Sequence, residues 1–382
     1  MKVAGDWLDH PGTQALCAAL ETEGHQALFV GGCVRNALML VPVADIDLAT
    51  DATPLVVTRI AEAAGFKAVP TGIDHGTVTV VAEGRPHEVT TFRRDVETDG
   101  RRAVVAFSTQ IEEDAQRRDF TMNAIYADRR GSVIDPLQGL PDVQARRVRF
   151  VGDPETRIRE DYLRILRFFR FHACYGDPAG GIDAEGLAAC AALAEGLETI
   201  SKERIGAEMR KLLAARDPAP ALAAMAQSGV LARILPGADP RAIGPLTEVE
   251  AGREPDWLRR LAALGGEDPV ELLRLSRSEV RDLTALCDAI PSMETPAVLG
   301  WRLGHVRAVD ALLLRAAMLE QPLAQDAVKD ARRGADARFP VTASDLMPTL
   351  LGEALGTRLK QLEARWLASN LTLSREDLLK GA

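Results

Sequence analysis

Leu28-Phe-Val-Gly-Gly-Cys-Val-Arg-Asn-Ala37, followed after a short gap by Asp45-Ile-Asp-Leu-Ala-Thr50, is the stretch on which the fold turns. Ala27 to Val30 is a short apolar run ending at Gly31-Gly32, which reads as a buried strand entering a turn. Arg35 to Leu40 has a helical pattern that Val41-Pro42 stops. Asp45 to Ala49 alternates charged and apolar residues, as a strand does. A period of two puts the Asp45 and Asp47 carboxylates on one face, with Ile46 in the core behind. Such a pair sits about 7 Å apart at the backbone and can converge on hard cations. Mg²⁺ takes oxygen ligands and usually adds substrate phosphate and water. Paired metals roughly 3.5–4 Å apart serve in-line phosphoryl displacement. An Asp-x-Asp alone is more often a solvated strand face. Here the Gly31-Gly32 turn adds bare backbone N–H groups that can approach a phosphate, and Arg35 follows one helical turn on.

Outward from this stretch, Thr53-Pro54 starts a helix that runs to about Ala64 and ends at Gly65. Thr77 to Ala82 and Glu88 to Phe92 read as paired strands around Gly84-Arg85-Pro86. Arg93 to Arg102 is polar, holds Gly100 and reads as a mobile loop. From about Ala115 onward helical patterns dominate. Asp217-Pro218 and Asp268-Pro269 each pair a capping residue with Pro at the first helical position. Leu355, Leu359, Leu362 and Trp366 fall on one helical face. The expected fold class is α+β: an N-terminal head with a small mixed sheet, then an all-helical neck, body and tail. The expected domains are 1–148, 149–215 and 216–382.

The chain has 382 residues and a formal net charge of −9, with a soluble globular balance of 47% hydrophobic and 26% charged residues. That charge argues against a protein that coats nucleic acid unspecifically. It leaves room for a local basic surface, and Arg clusters between Arg93 and Arg170. No run approaches the roughly 20 apolar residues of a membrane helix. The first ten residues lack a basic-then-apolar signal pattern, so the expected location is cytoplasmic. The five cysteines form no CxxC and read as buried small apolar residues. His75 and His87 are lone histidines read as structural.

Two arginine constellations follow. Glu112-Glu-Asp-Ala-Gln-Arg-Arg-Asp-Phe-Thr-Met-Asn123 could be a solvated helix face, but Phe120, Met122 and Ile125 carry it into a core. From Glu160 onward a helix is expected, with Asp161, Arg164, Arg167 and Arg170 recurring every three residues and Leu163, Leu166 and Phe169 as the apolar row. The bland reading is an exposed face with an Asp161–Arg164 pair. In the functional reading, a carboxylate beside a guanidinium offers acceptors and donors matching a nucleobase edge.

Together the Gly31-Gly32, Asp45-Ile-Asp, Arg117-Arg-Asp-Phe-Thr-Met-Asn-Ala124 and Glu160-Asp-Tyr-Leu-Arg164 motifs resemble those of class II CCA-adding enzymes and bacterial poly(A) polymerases, within the polymerase-beta nucleotidyltransferase superfamily. Asn36 stands where that family usually has Asp. The resemblance implies template-independent addition of C and A from CTP and ATP to the 3′ end of tRNA. It implies Asp45 and Asp47 as catalytic Mg²⁺ ligands, with Glu88 a candidate third carboxylate. It also implies a nucleotide site of Gly32, Arg35, Arg118, Asp161, Arg164, Arg167 and Arg170. Arg118 would contact the triphosphate, Asp161 and Arg164 would read the base, and Arg167 and Arg170 would hold phosphates or shape the pocket. Residues 93–102 resemble the family's flexible element for switching between C and A addition. Poly(A) polymerase, or an enzyme adding only CC or only A, shares these motifs. No protein partner is inferable.

Overall fold

The computed structural model describes residues 1–73, 76–99 and 102–380, with 95–99 and 102–105 described by backbone alone. His75 and Gly100 therefore lie outside the described residues. The chain divides into two compact units, residues 1–208 with 224–234, and residues 209–223 with 235–382.

The first unit begins with helices α1 (Asp6–Asp9) and α2 (Pro11–Thr22), then strand β1 (Leu28–Val30), α3 (Gly32–Leu38), β2 (Asp47–Thr50), α4 (Pro54–Ala63) and β3 (Lys67–Gly72). Strands β4 (Thr77–Ala82), β5 (Arg85–Thr91), β6 (Arg93–Asp99) and β7 (Arg102–Phe107) follow, then α5 (Ile111–Gln116), β8 (Tyr126–Ala127), β9 (Val133–Ile134) and α6 (Leu140–Gln144). A seven-stranded mixed sheet has the order β3-β4-β5-β2-β1-β8-β9, with β2 and β5 parallel.

Gly31 closes β1 at φ 69°, a conformation open to glycine without penalty. The helix then starts at Gly32, three residues earlier than expected, because the turn needs only one residue. Strand β2 starts at Asp47 instead of Asp45, although the Ile46 carbonyl still accepts from Glu88 N–H at 3.1 Å. The β4–β5 connection is shorter than expected. Ala82 pairs with Arg85 across Glu83 and Gly84, both at positive φ, the primed-turn geometry that matches strand twist. Pro86 is tolerated within β5 because β2 pairs only from Glu88 onward, so no ladder bond is required there. The expected mobile loop at 93–102 is instead the pairing of β6 with β7, in register from Arg93↔Phe107 to Asp99↔Arg102. The polar composition of Arg93 to Arg102 and its Gly100 gave a loop signal in the sequence.

The neck segment holds α7 (Pro154–Glu160), α8 (Leu163–Tyr175), α9 (Ala184–Ala192) and α10 (Lys202–Leu213). Asp161 breaks the helix expected from Glu160 onward: its backbone is extended, at φ −156° and ψ 104°. Its Oδ1 accepts from Leu163 N–H at 3.1 Å and so caps the start of α8. Behind α8, Phe120, Phe150, Phe168 and Phe171 form one aromatic core, with ring centroids 4.8–6.4 Å apart.

The chain continues through α11 (Ala219–Gln227) and α12 (Val230–Ile234), then α13 (Ile243–Val249), α14 (Trp257–Leu264), α15 (Pro269–Leu272), α16 (Arg277–Ala289), α17 (Pro296–Met318), α18 (Ala327–Asp336), α19 (Gly352–Ala368) and α20 (Arg375–Leu379). Gly304, at φ 75° and ψ 167°, interrupts α17. Leu362 and Trp366 are buried on the expected α19 face, with Leu355 and Leu359 beside them. Among the described residues no helix is long and apolar enough to cross a membrane.

Candidate active site

Strands β2 and β5 bring three carboxylates together. Asp47 lies opposite Glu88 in the parallel register, so the two side chains share a face. Asp45 and Glu88 are exposed and Asp47 is half-buried, while Ile46 between the two aspartates is 4% exposed and anchors them. Burial, then the charges of Glu88 and Asp45, push the Asp47 carboxyl up to about 6 against the pull of Arg118 and Arg35. This is a cluster of hard oxygen donors with more negative charge than its surroundings neutralise, which suits a divalent cation. Among the described residues no group of three or more His, Cys, Asp or Glu is arranged to hold a metal ion by itself. An oxygen site completed by water and substrate phosphate needs none.

Arg118 faces this cluster. A Cβ placed on Gly31 would lie 3.6 Å from its Nη1, so the turn and the guanidinium are van der Waals neighbours. Gly31 is thus the glycine the backbone requires. Gly32, the expected phosphate contact, forms the first residue of α3 beside it.

Arg118 is held by Asp114, a 1% exposed carboxylate on α5. Asp114 Oδ2 accepts from Arg118 Nη2 at 2.8 Å and from the Tyr126 hydroxyl at 2.7 Å. Its Oδ1 accepts from Arg117 Nη2 at 2.7 Å. Although burial opposes it, Arg118 and Arg117 hold the Asp114 carboxyl well below the usual carboxylate range. Burial pushes the Tyr126 phenol above its ordinary value.

Arg35 is placed away from solvent, at 5% exposure. Its Nη2 donates to Asn36 Oδ1 at 2.8 Å, its Nη1 donates to Asn123 Oδ1, and it stacks 3.9 Å over the Tyr175 ring. Asn36 also donates to the Pro42 carbonyl at 2.9 Å, a bond an Asp could not make. Asn123 passes the network to Asp119, whose Oδ2 accepts from Arg167 Nε at 2.8 Å. Arg35 and Arg167 are therefore joined through side chains the sequence had not singled out.

Asp161 and Arg164 do not pair with each other. Asp161 Oδ2 accepts from Arg204 Nη2 at 2.6 Å, and Arg204 lies on α10. Arg164 Nη1 donates to Glu160 at 2.5 Å and to the Arg157 carbonyl at 2.9 Å, and its Nη2 donates to the Arg117 carbonyl at 3.2 Å. Arg170 is bound by Glu208 at 2.6 Å. The helix break at Asp161 leaves its carboxylate to cap α8 and to meet Arg204 on α10, while Arg164 reaches back to Glu160 at the end of α7. Beside Arg117, a cavity of about 230 Å³ is lined by Arg94, Glu113, Gln116, Arg117, Arg157 and Glu160. Arg204 and Glu208 went unread because their partners Asp161 and Arg170 lie 43 and 38 residues away, and Arg117, Asp119 and Asn123 stood in the quoted motif without an assigned role. His87, expected to be structural, is fully buried with its Nε2 2.8 Å from Thr13 Oγ1.

Comparison with known proteins adds an independent line. Residues 27–149 match the family model described as "Poly A polymerase head domain". Residues 181–241 match "Probable RNA and SrmB- binding site of polymerase A". The chain is 32% identical to the mitochondrial CCA tRNA nucleotidyltransferase 1 of Mus musculus, over 96% of this chain and 89% of that one. It is 37% identical to the CCA-adding enzyme of Geobacillus thermodenitrificans, over 79% and 77% of the two. The crystal structure of the Bacillus stearothermophilus CCA-adding enzyme in complex with CTP superposes with a TM-score of 0.75 at 30% identity, covering 94% of this chain and 92% of that chain. The Thermotoga maritima CCA-adding enzyme complexed with tRNA shares the fold, with a TM-score of 0.69 at 18% identity.

Proposed function

The chain belongs to the CCA-adding nucleotidyltransferase family, which extends the 3′ end of tRNA with C and A from CTP and ATP, and from that premise we propose how its residues carry out the reaction. The terminal hydroxyl of the tRNA attacks the α-phosphate of the bound nucleotide. A new P–O bond forms, the bond to the bridging oxygen breaks, and pyrophosphate leaves with that oxygen. The observation that carries this reading is the carboxylate cluster on β2 and β5 facing Arg118 across the Gly31 turn.

Asp45 and Asp47 would hold Mg²⁺, with Glu88 a third oxygen donor beside them. Held by these carboxylates, a divalent ion would supply Lewis acidity toward the attacking hydroxyl and charge to offset that developing on the phosphate. Arg118 holds the triphosphate end-on. The bare backbone at Gly31 and Gly32 leaves room for the phosphates to approach. Arg35 and Arg167 support this site from behind, through Asn123 and Asp119.

Base selection falls to Asp161 and Arg164. Their present partners are a cation, Arg204, and an anion, Glu160. An amino group of cytosine or adenine replaces the first, and a ring acceptor replaces the second. In the proposed division of labour, residues 1–148 transfer the nucleotide, 149–215 select it and 216–382 hold the tRNA. A cytoplasmic site of action belongs to the same proposal.

The deciding assay supplies CTP and ATP, separately and together, with tRNAs lacking three, one or none of the terminal nucleotides. Ordered extension to the full terminus, and none beyond it, is the expected product pattern. Long A tracts would point to poly(A) synthesis, and arrest after C would point to a partial enzyme. Asp45→Ala should abolish incorporation while tRNA binding, read by a gel shift, persists. Full activity in that variant would remove the metal-ligand reading.

A further inference from the structure

We propose that Asp114 and Tyr126 are positioning residues for nucleotide binding, locking the Arg118 guanidinium so that its Nη1 edge alone is offered to the triphosphate. The proposal rests on the reading of Arg118 as the triphosphate contact.

Three side chains meet at Asp114. Its Oδ1 accepts from Arg117 Nε and Nη2 at 2.9 and 2.7 Å. Its Oδ2 accepts from Arg118 Nε and Nη2 at 3.3 and 2.8 Å, and from the Tyr126 hydroxyl at 2.7 Å. The same hydroxyl accepts from Arg118 Nε at 3.1 Å. Tyr126 is fully buried, and on β8 it pairs with Val30, the residue before the Gly31 turn. The hydroxyl therefore ties the guanidinium to the strand that sets the turn. No described residue accepts from Nη1, which faces Gly31.

This arrangement has two consequences. A free arginine loses much rotamer freedom when it closes on a ligand, whereas a clamped one loses it at folding, so substrate binding is not weakened by that loss. Two guanidiniums also share one carboxylate, so one positive charge remains uncompensated for the phosphates. Lysine at 118 could not keep the two-point contact with Asp114 and also reach forward, because an ammonium has no rigid fork.

Tyr126→Phe removes one hydroxyl and keeps the buried ring. Steady-state kinetics should show KM for CTP and for ATP rising together by about tenfold, the scale of one hydrogen bond to a charged group. The CTP-to-ATP preference should not change, because phosphates are common to both. In an Arg118→Ala background, the same change should have no further effect on either KM. Arg118→Lys should behave like Arg118→Ala. An equal Tyr126→Phe effect with and without Arg118 would overturn the clamp, as would an unchanged KM in the folded single variant. Unchanged nucleotide KM in Arg118→Ala itself would instead overturn the underlying reading of Arg118, and the clamp with it. Asp114→Asn should exceed Tyr126→Phe in effect. If that variant folds poorly by circular dichroism, the Tyr126 cycle alone decides.

Discussion

Leu40 stands at φ 57° with 93% of its surface exposed, five residues before Asp45. Left-handed backbone costs an L-residue about 1–2 kcal/mol, and this side chain recovers little by burial. Leu40→Gly should therefore raise stability by on the order of 0.5–1 kcal/mol after glycine's own entropy cost, read as an upward shift in the urea midpoint. Asp161 carries a second prediction. Its carboxylate caps α8 and meets Arg204, so Asp161→Ala should cost about 1 kcal/mol of stability. Its larger effect should be on choice, with CTP-versus-ATP discrimination falling about tenfold or more in competition assays. Undisturbed selectivity would leave Asp161 a capping residue only. At this scale Asp47 and Arg118 were legible, because a period of two and a short motif place them without reference to distant chain. Arg204 was not, because it lies 43 residues beyond the carboxylate it holds.

Helices α17 and α18 approach so closely that two glycines become obligatory. A Cβ on Gly334 would come within 1.8 Å of the Ala297 carbonyl oxygen, and one on Gly300 within 2.0 Å of the Ala331 carbonyl oxygen. Backbone cannot yield as a flexible side chain can. Gly334→Ala should therefore destabilise the second unit by about 1–3 kcal/mol or more, whereas Gly356→Ala on α19, with nothing within 4 Å, should not. Thermal melts of the two variants make the comparison. Neither glycine was distinguishable in sequence, where Gly inside a helical pattern only lowers propensity. The same holds for β6–β7, read as a loop because Arg93 to Arg102 is polar and holds Gly100. It holds again for the break at Asp161, where a continuous three-residue recurrence concealed a capping carboxylate. The α19 face was legible because Leu355, Leu359, Leu362 and Trp366 follow the helical period against a buried surface.

At the scale of the whole molecule, each unit holds buried charges that are matched by partners of opposite sign. In the second unit Glu250, 3% exposed, accepts from both Arg259 and Arg260, and Asp310 accepts from Arg259 at 2.6 Å. Arg260 also donates to the Leu213 carbonyl at 2.6 Å, at the end of α10. Glu250→Gln leaves buried Arg260 without its anion and Arg259 with Asp310 alone, and should cost about 3–5 kcal/mol, measured by urea unfolding. In the first unit, Asp114 and Asp119 are both held below the ordinary carboxylate range against burial, by Arg118 and Arg117 and by Arg167. Groups depressed in the folded state contribute stability that is complete above their unfolded value of about 4 and fades as pH falls toward the folded value. Acid titration of the fold should thus show the loss from these two carboxylates beginning below about pH 4. It adds to an earlier loss below about pH 6.5 from buried His87 and His172, which are held below their ordinary value, and to an opposite gain between about pH 6 and 4 from Asp47. The sequence by itself determined the elements whose periods meet a core, the turn before α3 and the carboxylate-bearing strand, because those depend on neighbours within a few residues. Only the tertiary structure decided which cation answers Asp119, Glu208 and Glu250, because these pairs are chosen by distance in space and leave no periodic mark along the chain, unlike Asp114 with Arg117 and Arg118 at helical spacing.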